Sequence, residues 1–196
     1  KGIEGTGIKA GVIKVANDKG GVTDLGELVL RAASRAQKAT GVPIMTHTWA
    51  PERIGEQQVG IFKDEGVDMN GVIIGHSNDT TDLGYLVGLL EEGVWLGMDR
   101  HPKGPPPSPD WQTRTETVKA LIDAGWGHRV LLGHDWSSTV GLYSPEQQAN
   151  QEAANPDSYL FITRNVLPKL KVLGASDKDI HMLMVDNPRR LFEGLQ

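Results

Sequence analysis

The sequence predicts an α/β fold built on a parallel sheet, and three observations carry that reading. Apolar runs of four to six residues recur, the first enclosing a lysine and the four later ones each ending on a polar or charged residue: Val12-Ile13-Lys14-Val15-Ala16, Pro43-Ile44-Met45-Thr46-His47, Val72-Ile73-Ile74-Gly75-His76, Val94-Trp95-Leu96-Gly97-Met98-Asp99-Arg100 and Val130-Leu131-Leu132-Gly133-His134-Asp135. Their Val and Ile content and near-continuous apolarity fit strands buried on both faces. Between them lie helical patterns with apolar residues at three- and four-residue steps. Reactive side chains at the carboxyl ends of such strands are the arrangement of a (β/α)8 barrel active site.

Taken in order, the first helix carries Leu25, Leu28, Val29, Ala32, Ala33 and Ala36 and stops at Gly41 and Pro43. A second is expected from Glu52 to Glu65, ended by Gly66, and a third runs from a cap at Asp79 to Asp82 through Leu83, Leu86, Leu89 and Leu90 to Gly93. A fourth spans Trp111 to Ala124. Two more cover Asn155 to Leu173 and Ser176 to Phe192, the last with a kink expected at Asn187-Pro188. The Pro-rich piece from Pro102 to Pro109 reads as a stiff loop over the strand ends, and Ser137 to Ala154 reads as a long polar loop of the kind that sets substrate choice.

The whole of 1–196 reads as one domain. Five strands do not close a barrel, and a complete one needs roughly 250 residues. The expectation is therefore that about three strand-helix units precede this chain or are supplied by another. An open doubly wound sheet of five strands is the alternative.

Composition excludes several classes. With 20 basic against 25 acidic residues the net charge is -5, and no helix gathers Lys and Arg with aromatics, so nucleic acid is not an expected partner. No window approaches eighteen consecutive apolar residues, so no membrane span is expected either. The chain reads as soluble, with the cytoplasm favoured, and the absence of Cys leaves the redox compartment open.

The chemistry lies in the spacing. Lys14 to His47 is 33 residues, His47 to His76 is 29, and His76 to Asp135 is 59, or two units of about thirty, which places these residues at matching heights on their strands. Two neutral imidazoles and a carboxylate suit zinc, cobalt, manganese or iron better than calcium or magnesium. A lysine beside them needs explaining. Either a desolvated Lys14 forms a Schiff base, or its neutral amine captures carbon dioxide to give a carbamate that bridges two metal ions. The paired histidines favour the carbamate.

At this point Ile13-Lys14-Val15, Gly41-Val42-Pro43 through Thr46-His47-Thr48, Gly55-Glu56-Gln57-Gln58, Ile74-Gly75-His76-Ser77 with Asp79-Thr80, Gly97-Met98-Asp99 and Asp135-Trp136 together resemble the phosphotriesterase family of the amidohydrolase superfamily, including its lactonase-like branch. The resemblance implies a (β/α)8 TIM barrel of which this chain supplies strands 4 to 8, and two divalent metal ions, zinc foremost. It implies that carbamylated Lys14 bridges them, that His47 and His76 hold the more exposed ion, and that Asp135 binds the buried ion and takes a proton from the bridging hydroxide. Lactones or esters are the implied substrates, with organophosphate triesters as side substrates and a homodimer as the whole assembly.

The family's His-x-His pair for the buried metal occurs nowhere in the 196 residues, which leaves a non-catalytic, incomplete barrel as a further alternative. Where phosphotriesterase proper has a histidine in a relay with the acid matching Asp79, this chain has Arg100, as lactonase-like members do; His101 follows it in place of their tyrosine. Asp135, Arg100 and Asp79 are thus the expected catalytic residues. Trp49, Arg100, His101, Trp136 and Tyr143 are the expected substrate contacts, although ordinary packing explains both tryptophans equally well. Alternation turns His134 toward the helix layer as a structural residue, and neither His128 nor His181 is an expected ligand.

Overall fold

The computed structural model describes residues 2–137 and 143–193. Strands β1 (Ile13–Ala16), β2 (Ile44–His47), β3 (Val72–Ile74), β4 (Trp95–Met98) and β5 (Val130–Leu132) form one parallel sheet in the order β1-β2-β3-β4-β5. The order never reverses, so the sheet has no switch point and is not doubly wound. Each crossover carries a helix: α1 (Asp24–Thr40), α2 (Ile54–Asp64), α3 (Leu83–Glu91) and α4 (Trp111–Asp123). Among the described residues no helix is long and apolar enough to cross a membrane.

Strand alternation divides the sheet into two faces. Val15, Ile44, Val72, Ile74, Leu96, Met98 and Val130 pack against the helices in the main core, with Leu30 of α1, Phe62 of α2, Leu86 of α3 and Leu121 of α4. Residues of the opposite parity, Met45, Ile73, Trp95 and Leu131, form a second, smaller cluster with Leu191. That second face carries the site.

Local chemistry sets the helix boundaries. Thr23, Asp82 and Asp110 each cap a helix by accepting a backbone N–H, and Gly41 ends α1 in the left-handed region at φ 72. Helix α2 begins at Ile54, two residues later than the sequence suggests, because Arg53 has φ 58 and cannot be helical. The expected loop from Ser137 to Ala154 contains instead α5 (Pro145–Ala154), while residues 138–142 lie outside the described residues. Its Gln- and Asn-rich sequence has no apolar stripe to announce a helix. The signal present is the capping box, in which Ser144 and Gln147 satisfy each other's backbone N–H groups.

The long helices expected at the end of the chain are subdivided. A π-helical stretch, Ile162–Val166, leads into α6 (Leu167–Val172), and after α7 (Asp177–His181) another, Met182–Asp186, leads into α8 (Asn187–Glu193). Pro168 and Pro188 are the second residues of α6 and α8. Neither has an N–H for the i→i−4 ladder, and the turn before each prolines adopts the wider hydrogen-bonding pattern instead.

Candidate metal centre

The registers fix the heights of the strand-end residues. Lys14 pairs with Met45, whereas His47 pairs with Ala16, so Lys14 lies one side-chain layer below His47 and not level with it as the spacing suggests. Intervals of about thirty residues lack single-residue resolution, and barrel strands are staggered. The lysine side chain is exposed and reaches up the groove, where Nζ donates to the Thr46 carbonyl at 3.2 Å.

His76 arrives by a different route. It lies two residues beyond Ile74, and strict alternation would turn it toward the helices. Its backbone is left-handed instead, at φ 58 and ψ 24, a conformation that non-glycine residues seldom take outside functional sites. The ring is thereby brought edge-on to His47, with centroids 4.5 Å apart and Nε2 2.9 Å from His47 Nδ1. Asp135 is also left-handed, at φ 45.

Asp99 completes the arrangement, although the sequence reading assigns it no role. One carboxylate oxygen accepts from the His76 backbone N–H at 2.8 Å and meets His76 Nδ1 at 2.9 Å. This places the His76 proton on Nδ1 and leaves Nε2 as a lone pair, as a metal-binding imidazole requires. The signal that locates Asp99 is glycine. A Cβ on Gly97 would stand 2.7 Å from Asp99 Oδ2, and one on Gly133 would stand 2.8 Å from Asp99 Cβ, so glycines on β4 and after β5 hollow out the seat of this carboxylate.

A groove of about 220 Å³ gathers Lys14, His76, Asp99, Gly133 and Asp135, and His47 adjoins it through His76. Burial lowers the pKa of His47, aided by the nearby positive groups, and favours neutral imidazole. Asp18 Oδ2 stands 3.6 Å from His47 Nε2. If a cation took the facing Nδ1 and Nε2 lone pairs, the displaced His47 proton would have a carboxylate beside its new position. The two facing nitrogens are therefore suitable donors for a divalent metal ion. They do not complete a centre: among the described residues no three His, Asp or Glu side chains stand close enough together to hold a metal.

Arg100 closes one side. Its Nε donates to Asp135 Oδ2 at 2.9 Å, and Nη1 bonds Asp79 Oδ2. Burial opposes ionisation of Asp135, but the Arg100 hydrogen bond and the neighbouring positive groups outweigh it and hold the carboxyl below the usual range. Burial likewise opposes the Arg100 charge, and its two carboxylate partners prevail, so its pKa is raised.

The expected substrate contacts fare differently. Trp49 is buried beneath the Lys19 ammonium, 4.4 Å from the ring centroid. Trp136 and Tyr143 share a cavity of about 580 Å³ with Lys103, His134 and Asp135. His134 faces the helix side, where Nε2 accepts from the Ile162 N–H at 3.3 Å and the ring meets Tyr159 edge-on.

His101 is fully buried, its Nδ1 3.3 Å from the Gly133 carbonyl, and its Nε2 has no partner among the described residues. Burial lowers its pKa from 6.5 to about 4. The folded state therefore resists a proton that the unfolded chain accepts below pH 6.5. Stability is complete above that value and declines as pH falls toward 4, by up to about 3 kcal/mol at about 1.4 kcal/mol per pH unit. Urea unfolding from pH 7 to 4 should show this slope, and His101→Phe should flatten it.

A model of the phosphotriesterase family matches residues 1–192. A phosphotriesterase homology protein of Mycobacterium tuberculosis is 44% identical over 193 residues, covering 98% of this chain and 58% of the relative. An aryldialkylphosphatase of Saccharolobus solfataricus is 33% identical, covering 98% and 60%, and an N-acetyltaurine hydrolase of Dictyostelium discoideum is 30% identical, covering 97% and 51%. A solved structure of the phosphotriesterase from Mycobacterium tuberculosis superposes with a TM-score of 0.89 at 43% identity, over 98% of this chain and 58% of that one. The five strands are thus a sector of a (β/α)8 barrel, and the chain spans about three fifths of the length of these first relatives.

Proposed function

The chain belongs to the phosphotriesterase family, and from that premise we propose that its site serves a binuclear metal-dependent hydrolase that prefers lactones and cleaves organophosphate triesters as a side reaction. The observation that carries the metal part is the 2.9 Å approach of His47 Nδ1 and His76 Nε2, with Asp99 holding the His76 proton on the far nitrogen. Lys14, as a carbamate, and Asp135 are the further ligands from this chain, and they line the same groove. When bound, zinc or a similar ion polarises the oxygen under attack and lowers the pKa of a water toward neutrality.

The remaining steps belong to the chain's own residues. Asp135, ionised and held by Arg100, can accept a proton at its carboxylate. Arg100 spends Nε and Nη1 on two carboxylates, while its Nη2 has no hydrogen bond among the described residues. A planar guanidinium donor suits the carbonyl and ring oxygens of a lactone and the carboxylate formed on opening. The relatives' names include an aryldialkylphosphatase and an N-acetyltaurine hydrolase, so both phosphoryl and carbonyl centres fall within the family's reach. Phosphotriesterase proper is accordingly the second reading. Schiff-base chemistry at Lys14 is not retained, since these relatives are named as hydrolases.

The test is a substrate panel on the zinc-loaded, full-length protein: lactones of varied ring size and tail length against paraoxon. Some lactone should have the higher kcat/KM, and Arg100→His should lower it by roughly tenfold to a hundredfold, the worth of one charge-assisted hydrogen bond, while paraoxon loses less. A preference for paraoxon over every lactone overturns the lactone assignment. Full activity after exhaustive chelation overturns the metal.

A further inference from the structure

We propose that Arg114 is a positioning residue that sets the orientation of Arg100 and, through it, substrate preference. The proposal rests on the reading of Arg100 given above.

Arg114 lies on α4 with no exposed surface, among Thr115, Thr117, Val118 and Leu121. A buried guanidinium is costly, and an apolar residue would pack there more cheaply. Its hydrogen bonds indicate what it does. Nη2 donates to Asp79 Oδ1 at 2.8 Å, Nη1 to the Arg100 carbonyl at 2.6 Å, and Nε to the Pro109 carbonyl at 2.8 Å. Three donors therefore hold one carboxylate and both ends of the segment that joins β4 to α4.

The consequence is a division of Asp79. This carboxylate has no exposed surface and is shared by two guanidiniums, Oδ1 bonding Arg114 and Oδ2 bonding Arg100. A carboxylate with both oxygens free accepts an arginine side-on, through two parallel bonds. Because Arg114 occupies one oxygen, Arg100 obtains a single bond from Asp79. Its Nε is then left for Asp135, and its Nη2 is left without a hydrogen bond among the described residues. The Pro-rich loop seals the arrangement: a Cβ on Gly104 would lie 2.7 Å from Arg114 Nη2 and 3.1 Å from Arg100 Cδ. No side chain fits between the loop and the paired charges.

Arg114→Lys keeps the charge but replaces a three-way fork by a single point donor. In the zinc-loaded, full-length protein it should leave zinc content unchanged and lower lactone kcat/KM about tenfold, whereas in an Arg100→His background the same change should cost less than about twofold, because residues in one hydrogen-bonded network are not additive. Equal costs in the two backgrounds would mean a merely structural arginine and overturn the proposal. A crystal structure of Arg114→Lys tests it without any substrate: the Arg100 guanidinium should rotate onto both oxygens of Asp79 and leave Asp135, and an unmoved Arg100 overturns it. Should that variant fail to fold, Gly104→Ala presses on the same cluster with every charge retained, and the same two measurements apply. A wild type without lactone preference would refute the substrate reading alone, since the cycle can then be run on paraoxon and the crystallographic result stands apart.

Discussion

Replacement of His76 by alanine in the full-length protein is expected to remove bound metal and to lower kcat/KM for every substrate by about 10³-fold, since Lewis-acid stabilisation is worth several kcal/mol and each 1.4 kcal/mol is a factor of ten. His76 supplies one of the two nitrogens that face each other at 2.9 Å. Asp99→Asn is the informative companion. It keeps the shape but loses the carboxylate that holds the His76 proton on Nδ1, and the loss of such an outer partner costs roughly ten- to a hundredfold in metal affinity. The ordering wild type, Asp99→Asn, His76→Ala in both metal content and activity checks the argument. A zinc-replete, active His76→Ala would refute it, and an Asp99→Asn indistinguishable from wild type would show that the tautomer is set by something else.

That contrast also marks where sequence ceases to carry the site. The five strands are legible because buried parallel strands are apolar at nearly every position, and Lys14 is legible as a polar residue inside such a run, His47 and Asp135 as polar residues closing one. Heights are not, because staggered strands make Lys14 the partner of Met45 and not of His47. Spacing and the family resemblance put His76 at a strand end, but the geometry that turns it into the groove is a single left-handed residue that reverses the alternation. No pattern of hydrophobicity encodes such a reversal. Asp99 was hidden for a related reason. Its clue lies in what is missing from its neighbours, the side chains of Gly97 and Gly133, and an absence on a neighbouring strand becomes informative only once the register is known. Helix α5 escaped because an exposed helix without a buried face has no periodicity to show, and only its capping box remained.

The other large effect concerns stability and falls on Asp79. Its carboxylate, with no exposed surface, holds Arg114, equally buried, and Arg100, which is 8% exposed. Asp79→Ala would leave two guanidiniums facing each other without the charge between them. Burial already lowers the pKa of Arg114, with Asp79 acting in the opposite direction, so the cluster has no reserve once the carboxylate is gone. Breaking a buried pair by removing one partner typically costs about 3–5 kcal/mol, because the remaining charge cannot recover its hydration. Asp79→Asn should cost less, since the amide oxygen can still accept from one guanidinium. Denaturant unfolding of both variants beside wild type measures the difference directly. If Asp79→Ala were destabilised by less than about 1 kcal/mol, within the range of an exposed salt bridge, then water must reach this cluster, and the Pro-rich loop would not be the seal that the close approach of its Gly104 to Arg114 and Arg100 describes.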